Sequence, residues 1–225
     1  MTMPSKKLAN MVEGPAERIS RTRERLLHDG VILCIRMGAG DPVLDKCEAA
    51  ARGGLRTLEV TLTTPNALDI IGTLAQREEM LVGAGTVLSR QAVRSVARAG
   101  GKFVLSPVFD SAVCDEARRV GLLAIPGTGT PTEILAAHRA GASLVKVFPA
   151  GPLGGPAFLR AVRGPLPDVP LIPTSGPTSE TIADYVAAGA VAVGVGAEVF
   201  PPNSTLDSIE QAARRVRDAM DRARA

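Results

Sequence analysis

The residue that most needs a chemical explanation is Lys146, because it stands inside the apolar run SLVKVFP between Val145 and Val147. Lysine is rarely buried without a partner. Desolvation disfavours the ammonium, so a lysine pointing into an apolar interior supplies a neutral amine near neutral pH. A neutral amine attacks a ketone and forms a Schiff base. The competing account is a lysine that faces a helix layer and snorkels to solvent. Glu59 poses the same question in LEVT, where Leu58 and Val60 face the opposite way along a strand. A buried glutamate either pairs with a cation, here Lys146 or Arg36, or moves protons with a raised pKa. Pairing and proton transfer are compatible.

Other constellations carry less. Gly83-Ala84-Gly85-Thr86 and Gly194-Val195-Gly196 follow apolar runs but match neither a Walker nor a Rossmann fingerprint. Such glycines serve tight strand–helix packing equally well. His28 and His138 are far apart, and no Cys or His pair has ligand spacing, so no metal site is expected. A Mg²⁺ held by Glu59 and water is the one metal option left open. No cofactor is called for.

The elements that must position these groups are legible as a repeating grammar. Eight aliphatic runs recur: residues 31–35, 55–61, 80–86, 102–107, 122–126, 143–149, 169–174 and 190–196. Near-continuous apolar runs are the pattern of parallel strands buried on both faces. Between them lie amphipathic helical stretches. Asp41-Pro42, Thr64-Pro65 and Thr130-Pro131 each place a capping oxygen before a proline at a first helical position, and Thr130 with Glu133 forms a capping box. Glycines at 53–54, 100–101, 121, 141 and 189 close helices before the next strand.

Eight strand–helix units predict an α/β fold of the (β/α)8 TIM-barrel type as one domain over residues 1–225, with a doubly wound sheet as the alternative. Residues 1–30 form an N-terminal segment whose helix, 15–29, caps the bottom of the barrel. Residues 31–200 carry the strands and 204–224 the last helix. In such a barrel the functional site lies at the C-terminal ends of the strands. That rule selects Arg36, Glu59, Thr61, Thr86, Ser106, Lys146, Thr174, Ser175, Gly194 and Gly196.

Composition narrows the class. The chain has 225 residues, of which 45% are hydrophobic, so a full core is within reach without disulfides. Aromatics are only 3%, too few for a base-stacking surface, and the +3 formal charge is spread among 26 basic and 23 acidic residues. No nucleic-acid partner is expected. Three scattered cysteines, Cys34, Cys47 and Cys114, indicate reduced thiols in a cytoplasmic protein. No apolar run approaches the ~18 residues of a membrane span, and the N-terminus lacks a signal-peptide core.

LEVTLTTPNAL, VGAGTVL, a strand ending in Ser106-Pro107, IPG, VKVFPA and PTSG occur in this order with barrel spacing. Together they resemble the 2-keto-3-deoxy-6-phosphogluconate / 4-hydroxy-2-oxoglutarate aldolases, over about residues 30–202. The resemblance implies a class I aldolase on a (β/α)8 barrel, usually a homotrimer, acting without metal. It implies that Lys146 forms the Schiff base with pyruvate or the 2-keto-3-deoxy acid and that Glu59 is the acid/base. Arg36, Thr86, Pro107 and Thr174 would then bind the oxo acid, and Ser175, Gly176, Gly196 and Ala197 the phosphate.

The chain departs from the gluconate branch at three places. Thr63 stands where that branch has an arginine. The strand-7 glycine pair is Ser175-Gly176, followed by Pro177, which has no N–H. The strand-8 serine is Ala197. Thr63-Thr64-Pro65, Arg36 and the stretch Gly194–Glu198 are closer to the phosphogalactonate branch. The expected substrate is therefore a 6-phosphorylated 2-keto-3-deoxy sugar acid, cleaved reversibly to pyruvate and an aldehyde, with 4-hydroxy-2-oxoglutarate as an unphosphorylated alternative. A non-catalytic phosphate- or acid-binding barrel and a metal-assisted lyase are the competing functions.

Overall fold

A computed structural model describes residues 13–225. Along the chain the elements are α1 (Pro15–Asp29), β1 (Val31–Ile35), α2 (Val43–Arg52), β2 (Thr57–Thr61), α3 (Ala67–Leu74), β3 (Leu81–Gly85), α4 (Arg90–Arg98), β4 (Phe103–Leu105), α5 (Ser111–Val120), β5 (Leu123–Ile125), β6 (Gly127–Thr128), α6 (Pro131–Arg139), β7 (Val145–Val147), α7 (Gly155–Arg163), β8 (Leu171–Pro173), α8 (Ile182–Ala187), β9 (Val193–Val195) and α9 (Leu206–Arg224). Each of the eight aliphatic runs contains a strand. β1 fills its run, and the other strands are shorter than theirs because their ends turn into loops.

All strand pairs are parallel, in a six-stranded sheet ordered β5-β4-β3-β2-β1-β9 and a three-stranded sheet ordered β6-β7-β8. Where one continuous eighth of a barrel is expected from LLAIP onward, the strand breaks into β5 and β6 at Pro126. Pro126 has no N–H for the ladder, and its carbonyl accepts from Lys146 N–H at 2.9 Å, on the β7 side. Gly127 lies so close to Ser106 and Pro107 that an added Cβ would sit 2.5 Å from both carbonyl oxygens. The other junction is made by the bridges Leu171↔Ala190 and Thr174↔Gly194 alone. The architecture is thus a parallel α/β fold with a curled six-stranded sheet and a second, short sheet.

Strand alternation sorts the core into two parts. Ile32, Leu81, Phe103, Leu105, Leu123, Ile125, Leu144, Ile172 and Ala192 form the cluster on the concave face. Leu33, Ile35, Leu58, Val60, Val82, Val104, Val145 and Val193 belong to the larger cluster under the helices. Leu26 of α1 joins the concave cluster at 0% exposure, so the N-terminal helix does cover the end where the strands begin. Burying one such leucine is worth about 1.5–3 kcal/mol.

The helix starts correct two expectations. Thr130 caps α6 with the full capping box to Glu133. Asp41 does not cap α2, which begins at Val43. Its carboxylate accepts instead from Gly38 N–H at 2.9 Å and Lys46 Nζ at 2.7 Å. Thr64 does not cap α3 either. Its hydroxyl donates to the Ile35 carbonyl and accepts from Met37 N–H, both at 3.3 Å, and the helix starts after Asn66, whose φ is +56°. In both loops the capping oxygen is used to hold the β1–α2 turn.

Candidate active site

β2 and β7 bring Glu59 and Lys146 together from the two sheets. Glu59 is central in β2, in register with Cys34 of β1 and Gly83 of β3. Lys146 is central in β7, in register with Gly127 and Ile172. Alternation turns both away from the helices, since their neighbours Leu58, Val60, Val145 and Val147 all lie in the helix-side cluster. Lys146 Nζ stands 3.9 Å from Glu59 Oε1, with side-chain exposures of 9% and 2%. The Phe148 ring lies 5.1 Å from the same Nζ, a second contact for a cation. The snorkelling alternative for Lys146 is thereby excluded.

Burial pushes the Glu59 carboxyl above its ordinary range, while Lys146, Arg36 and a hydrogen bond from the Cys34 thiol pull it partly back. The carboxylate owes its place to an absence on the neighbouring strand. A Cβ at Gly85 would overlap the Glu59 side chain, so the glycine of VGAGT is a slot for the carboxylate. Gly83 plays a similar part lower down, where a Cβ would overlap the Phe103 ring.

The remaining sequence-derived candidates fall into two groups. Arg36 is exposed at the end of β1, and its Nη2 donates to the Thr86 hydroxyl at 3.4 Å. Thr86 has φ +58°, a turn conformation that directs it from the end of β3. Thr174 is buried, with its hydroxyl donating to the Val147 carbonyl at 3.4 Å. Pro107 is half-buried on the β4–α5 loop and backs onto Gly127, the register partner of Lys146. Ser175, Gly176 and Ala197 are exposed, and Gly196 is half-buried, on the loops after β8 and β9.

The Thr174↔Gly194 bridge sets those two loops side by side. Glu198 ties them further, accepting from Ser179 N–H at 2.8 Å and from the Ser179 hydroxyl. Cys34 was missed as a member of the site by sequence reasoning. Its parity with Arg36 in VILCIR was the available signal, and only the β1–β2 register makes it a neighbour of Glu59. Among the described residues no group of His, Cys, Asp and Glu is arranged to hold a metal ion, and no helix is long and apolar enough to cross a membrane.

Two buried, oppositely charged groups beside an exposed arginine and two hydroxyls can bind a small carboxylate and move protons next to an amine nucleophile. Comparison with known proteins points the same way. A family model described as KDPG and KHG aldolase matches residues 23–213. The 2-dehydro-3-deoxy-phosphogluconate aldolase of Pseudomonas aeruginosa is 36% identical over 183 residues, covering 80% of this chain and 83% of that one. A probable 2-dehydro-3-deoxy-6-phosphogalactonate aldolase of Rhizobium meliloti is 36% identical over 163 residues, covering 71% and 76%. The crystal structure of a KDPG aldolase from Legionella pneumophila, with pyruvate captured as a covalent carbinolamine intermediate, superposes with a TM-score of 0.78 at 27% identity, covering 92% of this chain and 99% of that one.

Proposed function

The chain belongs to the KDPG and KHG aldolase family, and from that premise we propose that it is a class I aldolase, a carbon–carbon lyase whose Schiff base forms on Lys146. The observation that carries this is the 3.9 Å approach of two buried groups, the Lys146 amine and the Glu59 carboxylate. Glu59, with its affinity for protons raised by burial, accepts a proton from the ammonium and frees the amine to attack the C2 ketone of the oxo acid. It returns that proton to the carbinolamine oxygen, which leaves as water. The resulting iminium withdraws electrons, so the C3–C4 bond breaks to an enamine as the C4 hydroxyl passes its proton to the Glu59 carboxylate and an aldehyde departs. Protonation of C3 and hydrolysis of the imine release pyruvate and regenerate the amine.

Arg36 supplies the positive charge for the substrate carboxylate, and Thr86, Pro107 and Thr174 line the oxo-acid pocket. Ser175, Gly176, Gly196 and Ala197 receive the far end of the substrate. No cofactor or metal enters these steps. The single-domain (β/α)8 barrel is our reading of the fold: the β5/β6 break at one proline and the two bridges between β8 and the β9 segment support a closed ring. A homotrimer is proposed from the family and from Leu68, Leu88 and Val108, large apolar side chains left exposed in the first turn of α3 and on the β3–α4 and β4–α5 connections. Light scattering should give three chains per particle. We place the protein in the cytoplasm, where its free thiols would stay reduced.

Borohydride reduction in the presence of pyruvate tests the chemistry. One pyruvate-derived adduct is expected, on Lys146, and none in Lys146→Arg, because guanidinium stays charged. An adduct on the exposed Lys102, or full activity with no adduct, would overturn the proposal.

The substrate is proposed as a 2-keto-3-deoxy sugar acid, probed in its phosphorylated form first. Thr63, Pro177 and Ala197 favour a second reading in which the phosphate margin is small and 4-hydroxy-2-oxoglutarate competes. Matched phosphorylated and unphosphorylated acids should differ in kcat/KM, with the margin reduced by Ser175→Ala. Equal values unaffected by that substitution would assign the protein to unphosphorylated hydroxy-oxo acids.

A further inference from the structure

Glu59 has an unusual set of neighbours for a carboxylate that must move protons. From β7 it faces Lys146, from β1 Arg36 and Cys34, and from β3 only the glycines 83 and 85. The lysine is at 3.9 Å, beyond an ordinary hydrogen bond. Across the β1–β2 rung the side chain beside the carboxylate is the Cys34 thiol. That placement is dictated by topology. Cys34 and Glu59 are register partners on adjacent parallel strands, so their side chains leave the sheet on the same face. Two bare backbones complete the seat. A Cβ at Gly85 would overlap the carboxylate, and a Cβ at Gly196 would lie 2.9 Å from the Cys34 carbonyl oxygen and 3.4 Å from its Cβ.

We propose that Cys34 is a positioning residue for Glu59: its thiol donates to the carboxylate across the β1–β2 rung and holds the acid/base in the Gly85 slot, facing Lys146. The thiol suits this role because it does not ionise in the working range. Burial and the Glu59 charge push it up to about 12. It therefore remains a neutral donor while Glu59 changes state, and it favours the carboxylate over the acid. It is not a nucleophile here, since the thiolate is the reactive form of cysteine. The arrangement sets Glu59 between opposing influences: burial raises its proton affinity, and the thiol, lysine and arginine limit the rise.

The inference rests on the aldolase reading for its catalytic meaning, and its test does not. In substrate-free protein labelled with ¹³C at the glutamate δ-carbon, the resonance that disappears in Glu59→Gln reports the Glu59 titration. Cys34→Val removes the donor and should move that midpoint upward by about one pH unit, the scale of one hydrogen bond to a charged group. Cys34→Ser, which keeps a donor, should stay near the wild-type midpoint. Cys34→Ala serves if valine does not fit. The acid limb of kcat/KM should shift with the midpoint, while KM for pyruvate-type substrates changes less than kcat.

An unchanged midpoint in both Cys34→Val and Cys34→Ala would overturn the proposal. So would a serine variant that shifts as far as valine. Failure of borohydride trapping together with a shifted midpoint would instead count against the aldolase reading and leave the Cys34–Glu59 pairing intact.

Discussion

The two ends of the parallel strands treat their polar groups differently. At the N-terminal end the hydrogen bonds are short and mostly terminate on backbone carbonyls. Arg224 donates to the carbonyls of Leu27, His28 and Val191 at 2.9, 2.9 and 2.8 Å. The Thr57 hydroxyl donates to the Asp29 carboxylate at 2.5 Å, and Arg217 bonds both the Asp29 carbonyl and the Asp221 carboxylate. At the C-terminal end the charged groups that face the site are close but loosely engaged. Lys146 and Glu59 are 3.9 Å apart, and Arg36 reaches the Thr86 hydroxyl at 3.4 Å. A satisfied polar group stabilises the fold it sits in. A charged group held near its partner without a close bond keeps bonding capacity for a ligand, at a cost in stability. The difference separates the end that holds the chain together from the end that works on a substrate.

The largest test of this contrast is Glu59→Gln. Catalysis should slow by roughly 10²–10⁴-fold, the worth of a positioned acid/base, measured as kcat on the best oxo acid. Stability should move the other way. Burial raises the Glu59 carboxyl above its ordinary 4.5, so the folded chain holds this proton where the unfolded chain has lost it. The associated stability is complete below the unfolded value and is lost as pH rises through the folded value. Glutamine does not ionise and suffers no such loss. The Tm of Glu59→Gln relative to wild type should therefore climb as pH is raised above 4.5 and flatten once the native carboxyl has ionised. A variant with wild-type rates and a lowered Tm would make Glu59 a structural ion-pair member and erase the contrast.

The same contrast explains what could be read from the residues alone. The strands were legible because a parallel strand covered on both faces needs a continuous aliphatic run, and few other elements do. Lys146 and Glu59 stood out as the charges that break such runs. Less visible were features that depend on register and on which group takes which hydrogen bond. The Pro126 break needs the positions of β4 and β7. Asp41 and Thr64 have the right chemistry for caps, but the β1–α2 turn claims their oxygens. Cys34 looked like one of three scattered thiols until strand pairing set it against Glu59. Gly85 carries no side chain to suggest that it makes room for one.

The smallest expected effect lies at the opposite end. Arg224 is exposed, yet its guanidinium covers Gly30, where a Cβ would overlap it, and spans the end of α1 and the approach to β9. Gly30 has φ +70°, so the turn from α1 into β1 is a conformation few other residues would accept, and the arginine closes over it. Arg224→Ala removes three hydrogen bonds to carbonyls, but solvent can replace much of what is lost at an exposed position. A net loss of about 1 kcal/mol is expected, which lowers Tm by roughly 2–4 °C in a chain of this size. Because Leu26 of the same helix fills the concave cluster, the loss should be felt as looser seating of α1, read by faster amide exchange in residues 26–31. The kcat/KM should stay at the wild-type value, since the groups that meet substrate lie at the other ends of the strands. A fall in kcat/KM at a temperature where the variant is fully folded would mean that the two ends are coupled through the concave core, and that stability and chemistry are not separable by position in this fold.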